Sequence, residues 1–526
     1  MENERGSWGS NIGFLLAAIG SAVGLGNIWG FPYKMGKSGG FTFLIVYLLL
    51  AVFVGFTIMM SELALGRKTG TGPIGAYHAV SSRFKWIGWL AVFSPFVIMS
   101  FYSVLGGYCI EYMALNLSDL AFQSEAIPGG DLFGSMLTNP WGCVVFTMLF
   151  LVICYLINRG GIAGGIEKFN NVGMPALFVM LVIIIIKSLS MEGAVEGLKF
   201  MFVPGYAVAG GFIDYAPSLG TVISTAGGQM FFSLSLAMGA MITYGSYLDK
   251  KENLVKNSGI IVIADTLVAV MAGIAVIPAA VAYGIQQGIP VNEIALGGPS
   301  LLFVTLQNVF NSMGSIGSLF GVIFYLLVLI AAISSAISLI EVITTFFMDR
   351  AAQQGKKSNR PKIVLIVCIA ILVEASIVAV DGLGSNGIPV PFKETAAVVV
   401  DGVTKYAGWN DCWLDFMDML SEGLAMPLGA LLMSIMIGWE IQPKSMLDEI
   451  HSGHGHGMDG FYSLCLKIIV PLGMVLVLSG QIASFFGSTS DTAAKAASLW
   501  GYAIGLVILV IGLILAFTSP KRNSLK

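Results

Sequence analysis

The chain has 526 residues, 56% of them hydrophobic and 11% charged, with a net charge of −3 and a mean hydropathy of +0.85. A soluble domain carries roughly a quarter charged residues, so a soluble globular fold is excluded, and no basic excess points to nucleic acid. Apolar runs of about twenty residues recur from end to end without the alternation of barrel strands, which predicts an all-α integral membrane protein.

Twelve transmembrane helices are predicted, at 11–35, 40–66, 88–116, 141–158, 166–189, 218–247, 256–288, 316–350, 361–381, 412–439, 461–486 and 496–517. The whole chain, 1–526, reads as one membrane domain. Of the lysines and arginines, nineteen fall on the side of the N-terminus and seven on the other, with Lys467 near a helix end. The positive-inside rule then puts both termini in the cytoplasm, and a twelve-span chain without a large cytoplasmic tail is compatible with a bacterial inner membrane. The first span follows MENERGSWGS without a small-residue cleavage site and reads as a retained span, not a signal peptide. The six cysteines form no CxxC pair and read as packing residues.

The first span contains GSAVGLGNIWGFP at 20–32, with four glycines and a proline where a straight helix would be expected. Spans two and three contribute the intramembrane carboxylates Glu62 and Glu111, the latter near a span end. Span three also carries Ile98 and Tyr102, four apart and so on one helix face. GIEKFNNVGMP leads into span five, with Gly165 and Pro175 separated by nine residues. Span six holds GGQMFFSLSLAMG at 227–239, again small and polar residues at mid-membrane. Either interruption alone would suit close helix packing. Two of them, five spans apart, point to an inverted repeat with a binding site between its halves.

Asp265 is the tenth residue of span seven, and no lysine or arginine lies at comparable depth, so its expected partner is a cation. In span eight, Ser334 and Ser335 follow Ala331 by three and four positions on one face, and Glu341 follows them. Serine alone is weak evidence, because its hydroxyl usually bonds back to its own helix. Glu374, Asp418 and Glu422 lie in or near spans nine and ten. The loops 117–140, 190–217, 289–315, 382–411 and 440–460 are long enough to carry short helices. HSGHGHG at 451–457 reads as a Gly-rich cytoplasmic loop, since no Cys or carboxylate cluster joins its histidines to make a metal site.

A broken helix frees main-chain groups that hydrocarbon cannot satisfy. Freed amides at a half-helix start suit a carboxylate, and freed carbonyls suit an alkali ion or an ammonium. One break can thus hold a zwitterion and a cation side by side.

These motifs together resemble the neurotransmitter:sodium symporter family, in particular its bacterial amino-acid transporters. The resemblance runs from Arg5 to the tenth span. It implies a 5+5 inverted repeat, about 11–189 and 218–439, with accessory helices at 461–517, helices one and six unwound, and sodium-driven alternating access. It further implies one Na+ held by the Ala22 carbonyl, Asn27, Ser233 and Asp265, and a second held by the carbonyls of Gly20, Val23 and Ala331 with the hydroxyls of Ser334 and Ser335. The substrate carboxylate would meet the amides of Leu25 and Gly26 and the Tyr102 hydroxyl. Its ammonium would meet the carbonyls of Ala22, Phe232, Ser233 and Ser235. Ile98, Phe232, Met238, Ser335 and Leu339 would surround its side chain.

Amine transporters of the family carry an aspartate where this chain has Gly24, so a substrate bearing its own carboxylate, an amino acid, is expected. Met238 is adaptable and suits a large apolar or aromatic side chain. Chloride-dependent relatives have a neutral residue at the position of Asp265; the other matching positions are Tyr47, Gln229, Ser233 and Ala269, and chloride-independent transport is expected. Arg5, Trp8 and Asp349 match a cytoplasmic gate, with Ser246 and Tyr247 beside it. Glu62 matches a carboxylate bracing the break in span six, and Gly165 to Pro175 a segment that unwinds in span five. Outside, the expected gate arginine is replaced by Gly30, leaving Lys34 either to face Asp418 or to reach the interface. No enzyme motif is present, and a ligand-sensing receptor on the same fold is the alternative function. Which amino acid, how many ions and what oligomer are not legible in the sequence.

Overall fold

A computed structural model describes residues 7–122, 127–294, 296, 298, 300–391, 397–400, 403–406, 412–453, 458–486 and 491–518. Arg5, His454 and His456 lie outside the described residues. Among the described residues, ten helices are long and apolar enough to cross a membrane, and one bent pair makes an eleventh span. The remaining one of the twelve expected spans is the sixth, whose two helical pieces are separated by a stretch of irregular chain. Apart from an antiparallel hairpin, Ala397–Val400 with Val403–Tyr406, the described chain is helical.

Span one starts at Ser10, whose side chain accepts the Gly13 amide and caps Asn11–Ala22. A second piece, Gly26–Lys37, leaves the break at 45°. Span two covers Phe41–Thr69, span three Ile87–Phe122, span four Pro140–Asn158 and span five Ile162–Leu189. Span six is Leu219–Ser233, then an irregular stretch, then Ala240–Gly245. Spans seven to ten are Leu254–Gln286, Gly317–Gln353, Arg360–Asp381 and Trp413–Glu440. Spans eleven and twelve include Asp459–Ser484 and Leu499–Phe517. The loops hold the expected short helices, among them Gly129–Leu137, Ala194–Phe202 and Pro443–Ser452.

Spans three and eight, of 36 and 37 residues, lie against each other and hold corresponding positions in the two halves. Span one crosses span eight, and span six packs on spans two and eleven. Apolar side chains on the outer helices face outwards: Val373 of span nine is 68% exposed and Val507 of span twelve 57%. In water that surface would be costly; against lipid tails it is the expected covering. Polar side chains instead concentrate around the two broken spans, where Asn27, Glu62, Ser233, Asp265 and Ser334 are fully buried.

Candidate functional site

The break in span one is a rerouting of amides. In a continuous helix the Gly24 and Leu25 N–H groups would donate to the carbonyls of Gly20 and Ser21. Here Gly24 N–H donates to Asn27 Oδ1 at 3.0 Å, and Leu25 N–H to the Tyr102 hydroxyl at 3.0 Å. The released carbonyls turn to span eight and to the break in span six. Ser335 Oγ lies 3.3 Å from Gly20 O and 2.9 Å from Ser21 O, and Ser235 Oγ donates to Ser21 O at 2.7 Å.

Span six breaks by the same device. Glu62 Oε1 accepts the Ala237 amide at 2.8 Å, a donor that a regular helix would send to Ser233 O. Ser235 and Ala237 take φ of 52° and 58°, and Gly239 restores the helix at φ 76°. Left-handed backbone is costly at non-glycine residues, so the Glu62 carboxylate and the Ser235 hydroxyl offset strain where it arises.

Two groups of oxygens follow. In the first, Asp265 is fully buried and contacts only neutral groups. Asn27 Nδ2 donates to its Oδ1 at 2.7 Å, Ser233 Oγ is 3.0 and 3.1 Å from its two oxygens, and the Tyr47 hydroxyl is 3.3 Å from Oδ2. Among the described residues no lysine or arginine pairs with it. In the second group, Ser334 Oγ lies 3.3 Å from Val23 O and 2.8 Å from Ala331 O, and Ser335 Oγ reaches Gly20 O. The second set is all-oxygen and suits a hard cation; in the first, Asn27 turns its amide nitrogen to Asp265 and its oxygen to the Gly24 amide. Gln229, a position matching the chloride site of relatives, donates Nε2–H to Gly26 O at 2.6 Å.

Between these groups lies the expected substrate cleft. Ile98, Tyr102, Phe232, Met238, Ser335 and Leu339 line one cavity with the backbone of Ala22, Gly24 and Gly26, and Ser21 joins them unforeseen. Its volume is about 10 Å³, room for about one water. A Cβ at Gly24 would collide with Ser335 Oγ and the Tyr102 hydroxyl, and one at Gly26 would stand 2.8 Å from the Phe232 ring. Both glycines are therefore required by close approach. Phe232 is itself held between Phe101 and Tyr102, at centroid distances of 6.4 and 6.2 Å.

Beyond the cleft, at the end assigned to the cytoplasm, Trp8 packs on Phe14 and Tyr244 and donates Nε1–H to Tyr244 O at 3.1 Å. Asp349 Oδ2 accepts the Gly72 amide at 2.8 Å; its expected partner Arg5 is outside the described residues. The Tyr247 hydroxyl lies 3.0 Å from Glu341 Oε1, and Glu341 is ion-paired with Arg360. That pair was missed in the sequence because Arg360 stands at the start of another span and only the fold brings it inward. Glu167 was missed for the same reason: it accepts the Gly9 amide at 2.8 Å and the Ser10 hydroxyl at 3.3 Å, tying the start of span one to span five.

At the opposite end Lys34, left open between facing Asp418 and reaching the interface, is ion-paired with Glu422. A π-helical turn at Met419–Ala425 adds a residue to span ten at this point and re-aims the face that follows. Asp418 remains beside Glu422 and Lys34. The pair is nearly dry, with side-chain exposures of 13% and 6%.

The sequence pattern of the sodium:neurotransmitter symporter family matches residues 5–126 and 134–391. The chain is 33% identical over 487 residues to YhdH of Bacillus subtilis, an uncharacterized sodium-dependent transporter, covering 91% of this chain and 98% of that protein. It is 27% identical over 538 residues to MJ1319 of Methanocaldococcus jannaschii, described in the same words, covering 99% of each. Among solved structures, MhsT in complex with L-phenylalanine is similar at a TM-score of 0.75 and 30% identity, covering 91% of this chain and all of that one.

Proposed function

The chain belongs to the sodium:neurotransmitter symporter family, and from that premise we propose that it imports a large apolar or aromatic amino acid together with sodium, without chloride. That it is a multi-pass, sodium-dependent transporter follows from the family and the ten apolar helices. The substrate, the independence of chloride and the residue roles are our reading. One observation carries it: a fully buried carboxylate, Asp265, bonded to polar side chains from both broken spans and, among the described residues, facing no basic side chain. A buried lone charge is costly, and a bound cation removes the cost.

In this reading the Ala22 carbonyl, Asn27, Ser233 and Asp265 hold one Na+, and Gly20, Val23, Ala331, Ser334 and Ser335 hold a second. The Leu25 amide and the Tyr102 hydroxyl, already 3.0 Å apart, exchange their mutual bond for the substrate carboxylate. Gly24 leaves no room for a protein carboxylate, so the ligand supplies its own. The apolar wall of Ile98, Phe232, Met238 and Leu339 supports a hydrophobic side chain, as does the phenylalanine bound by MhsT. With about 10 Å³ available, Phe232 and Met238 must withdraw before a ligand fits. The chain termini would lie in the cytoplasm.

Uptake of the twenty amino acids by proteoliposomes under an inward sodium gradient tests the proposal. Accumulation of Phe, Tyr, Trp or Leu that persists with gluconate in place of chloride, and stops with K+ in place of Na+, is expected. Sodium-dependent binding without accumulation would instead identify a receptor.

A further inference from the structure

Span five lies along the inner half of span one, and the face it presents there is Glu167, Asn170 and Met174, spaced by three and four positions. Glycines meet that face. A Cβ on Gly13 would overlap the Glu167 carboxylate, and one on Gly20 would overlap Asn170 Oδ1 and stand 3.2 Å from Met174 Sδ. Glu167 is engaged by the Gly9 amide and the Ser10 hydroxyl. Asn170 is fully buried but only half engaged. Its Nδ2 donates to Ile166 O at 2.9 Å, in the π-helical turn Ile162–Glu167. Its Oδ1 has no hydrogen-bond partner among the described residues. That oxygen is aimed at Gly20, whose carbonyl belongs to the second oxygen group with Ser335. A buried acceptor without a donor is an exception that needs a cause.

Given the second sodium site put forward above, we propose that Asn170 is a transit ligand for its ion: as Na+ leaves that group for the cytoplasm-assigned end, Asn170 Oδ1 takes the place of one of its carbonyls. An amide oxygen is the same kind of ligand as a main-chain carbonyl, so the exchange suits a hard cation. It also costs little. Oδ1 is already out of water and has no hydrogen bond to give up, whereas the Glu167 carboxylate would have to release two donors. Position gives the direction. Beyond Gly20 the seam between spans one and five continues past Gly13 to Gly9 and Ser10, and these last two line a cavity of about 650 Å³ at that end. Asn170 faces the seam where it leaves the oxygen group. Packing alone would account for Oδ1 differently, by a weak contact with the Gly20 Cα–H. Such a contact would add to stability and leave the rate of ion release untouched.

Release of radioactive sodium from the full-length protein after rapid dilution into choline buffer tests this, alongside the half-saturating sodium for thermal stabilisation. Asn170→Leu keeps the size and removes the acceptor: release should slow roughly fivefold, with half-saturating sodium within about twofold of the parent. Asn170→Asp keeps the oxygen and adds charge: half-saturating sodium should fall roughly fivefold. Ser334→Ala identifies the ion, because it removes an oxygen of the second group and should quicken the matching phase of release. If that phase responds to Ser334→Ala but not to Asn170→Leu, the transit role alone is overturned. If sodium binding and release ignore Ser334→Ala, the second site falls and the transit role with it. Weaker equilibrium binding in Asn170→Leu without slower release marks packing against Gly20 and also overturns the role. Were Asn170→Leu not to fold, unaltered half-saturating sodium in Asn170→Asp would overturn it in the same way.

Discussion

Asp265 concentrates the argument at the scale of one residue. Its charge is held in a neutral hydrogen-bonded shell of Asn27, Ser233 and Tyr47. Asp265→Asn keeps the shape of that shell and removes the charge, so sodium-driven uptake should fall at least about tenfold, the equivalent of ~1.4 kcal/mol. Chloride should restore part of it, because an anion nearby can replace the lost charge. Full activity in that variant, indifferent to chloride, would remove Asp265 from the coupling. Ser334→Ala deletes one oxygen of the other group and should raise half-saturating sodium about fivefold, for ~1 kcal/mol lost; sodium titration of uptake measures it. Gly24→Asp should abolish amino-acid binding, since its first side-chain atom already meets Ser335 and Tyr102.

Breaks, gates and turns belong to the scale of the element. Glu62→Gln weakens the acceptor that holds the Ala237 amide out of the helix, and the strained φ values at Ser235 and Ala237 then lose their brace. Substrate affinity should drop several-fold, with a loss of about 1 kcal/mol, measurable by scintillation proximity binding. The Lys34–Glu422 pair makes a comparable forecast: Lys34→Ala leaves a buried carboxylate unpaired, and substrate dissociation to the outside should quicken, whereas Asp418→Asn should have the smaller effect. Unchanged dissociation rates in Lys34→Ala would dismiss this gate. Both helix breaks were legible from glycine and small polar residues at mid-membrane depth. The partner of Lys34 was not, because sequence spacing assumes a regular helix, and the π-helical segment Met419–Ala425, which holds Glu422, adds a residue and turns the face that follows Asp418.

Across the whole molecule, the order and rough extent of the spans were readable because lipid imposes a length and a polarity on every crossing. Contacts between distant segments were not. Glu341 with Arg360, and Glu167 with Gly9 and Ser10, join residues that only the packed bundle brings together. These contacts tie the start of span one to span five and span eight to span nine, so the end of the bundle where span one begins is closed by a network instead of a single pair. The closure matters to a cell that keeps a voltage across its membrane. A centre with room for about one water cannot carry a file of hydrated ions, so the idle protein insulates. In the proposed transport cycle the stored electrical energy would drain only when cargo is moved.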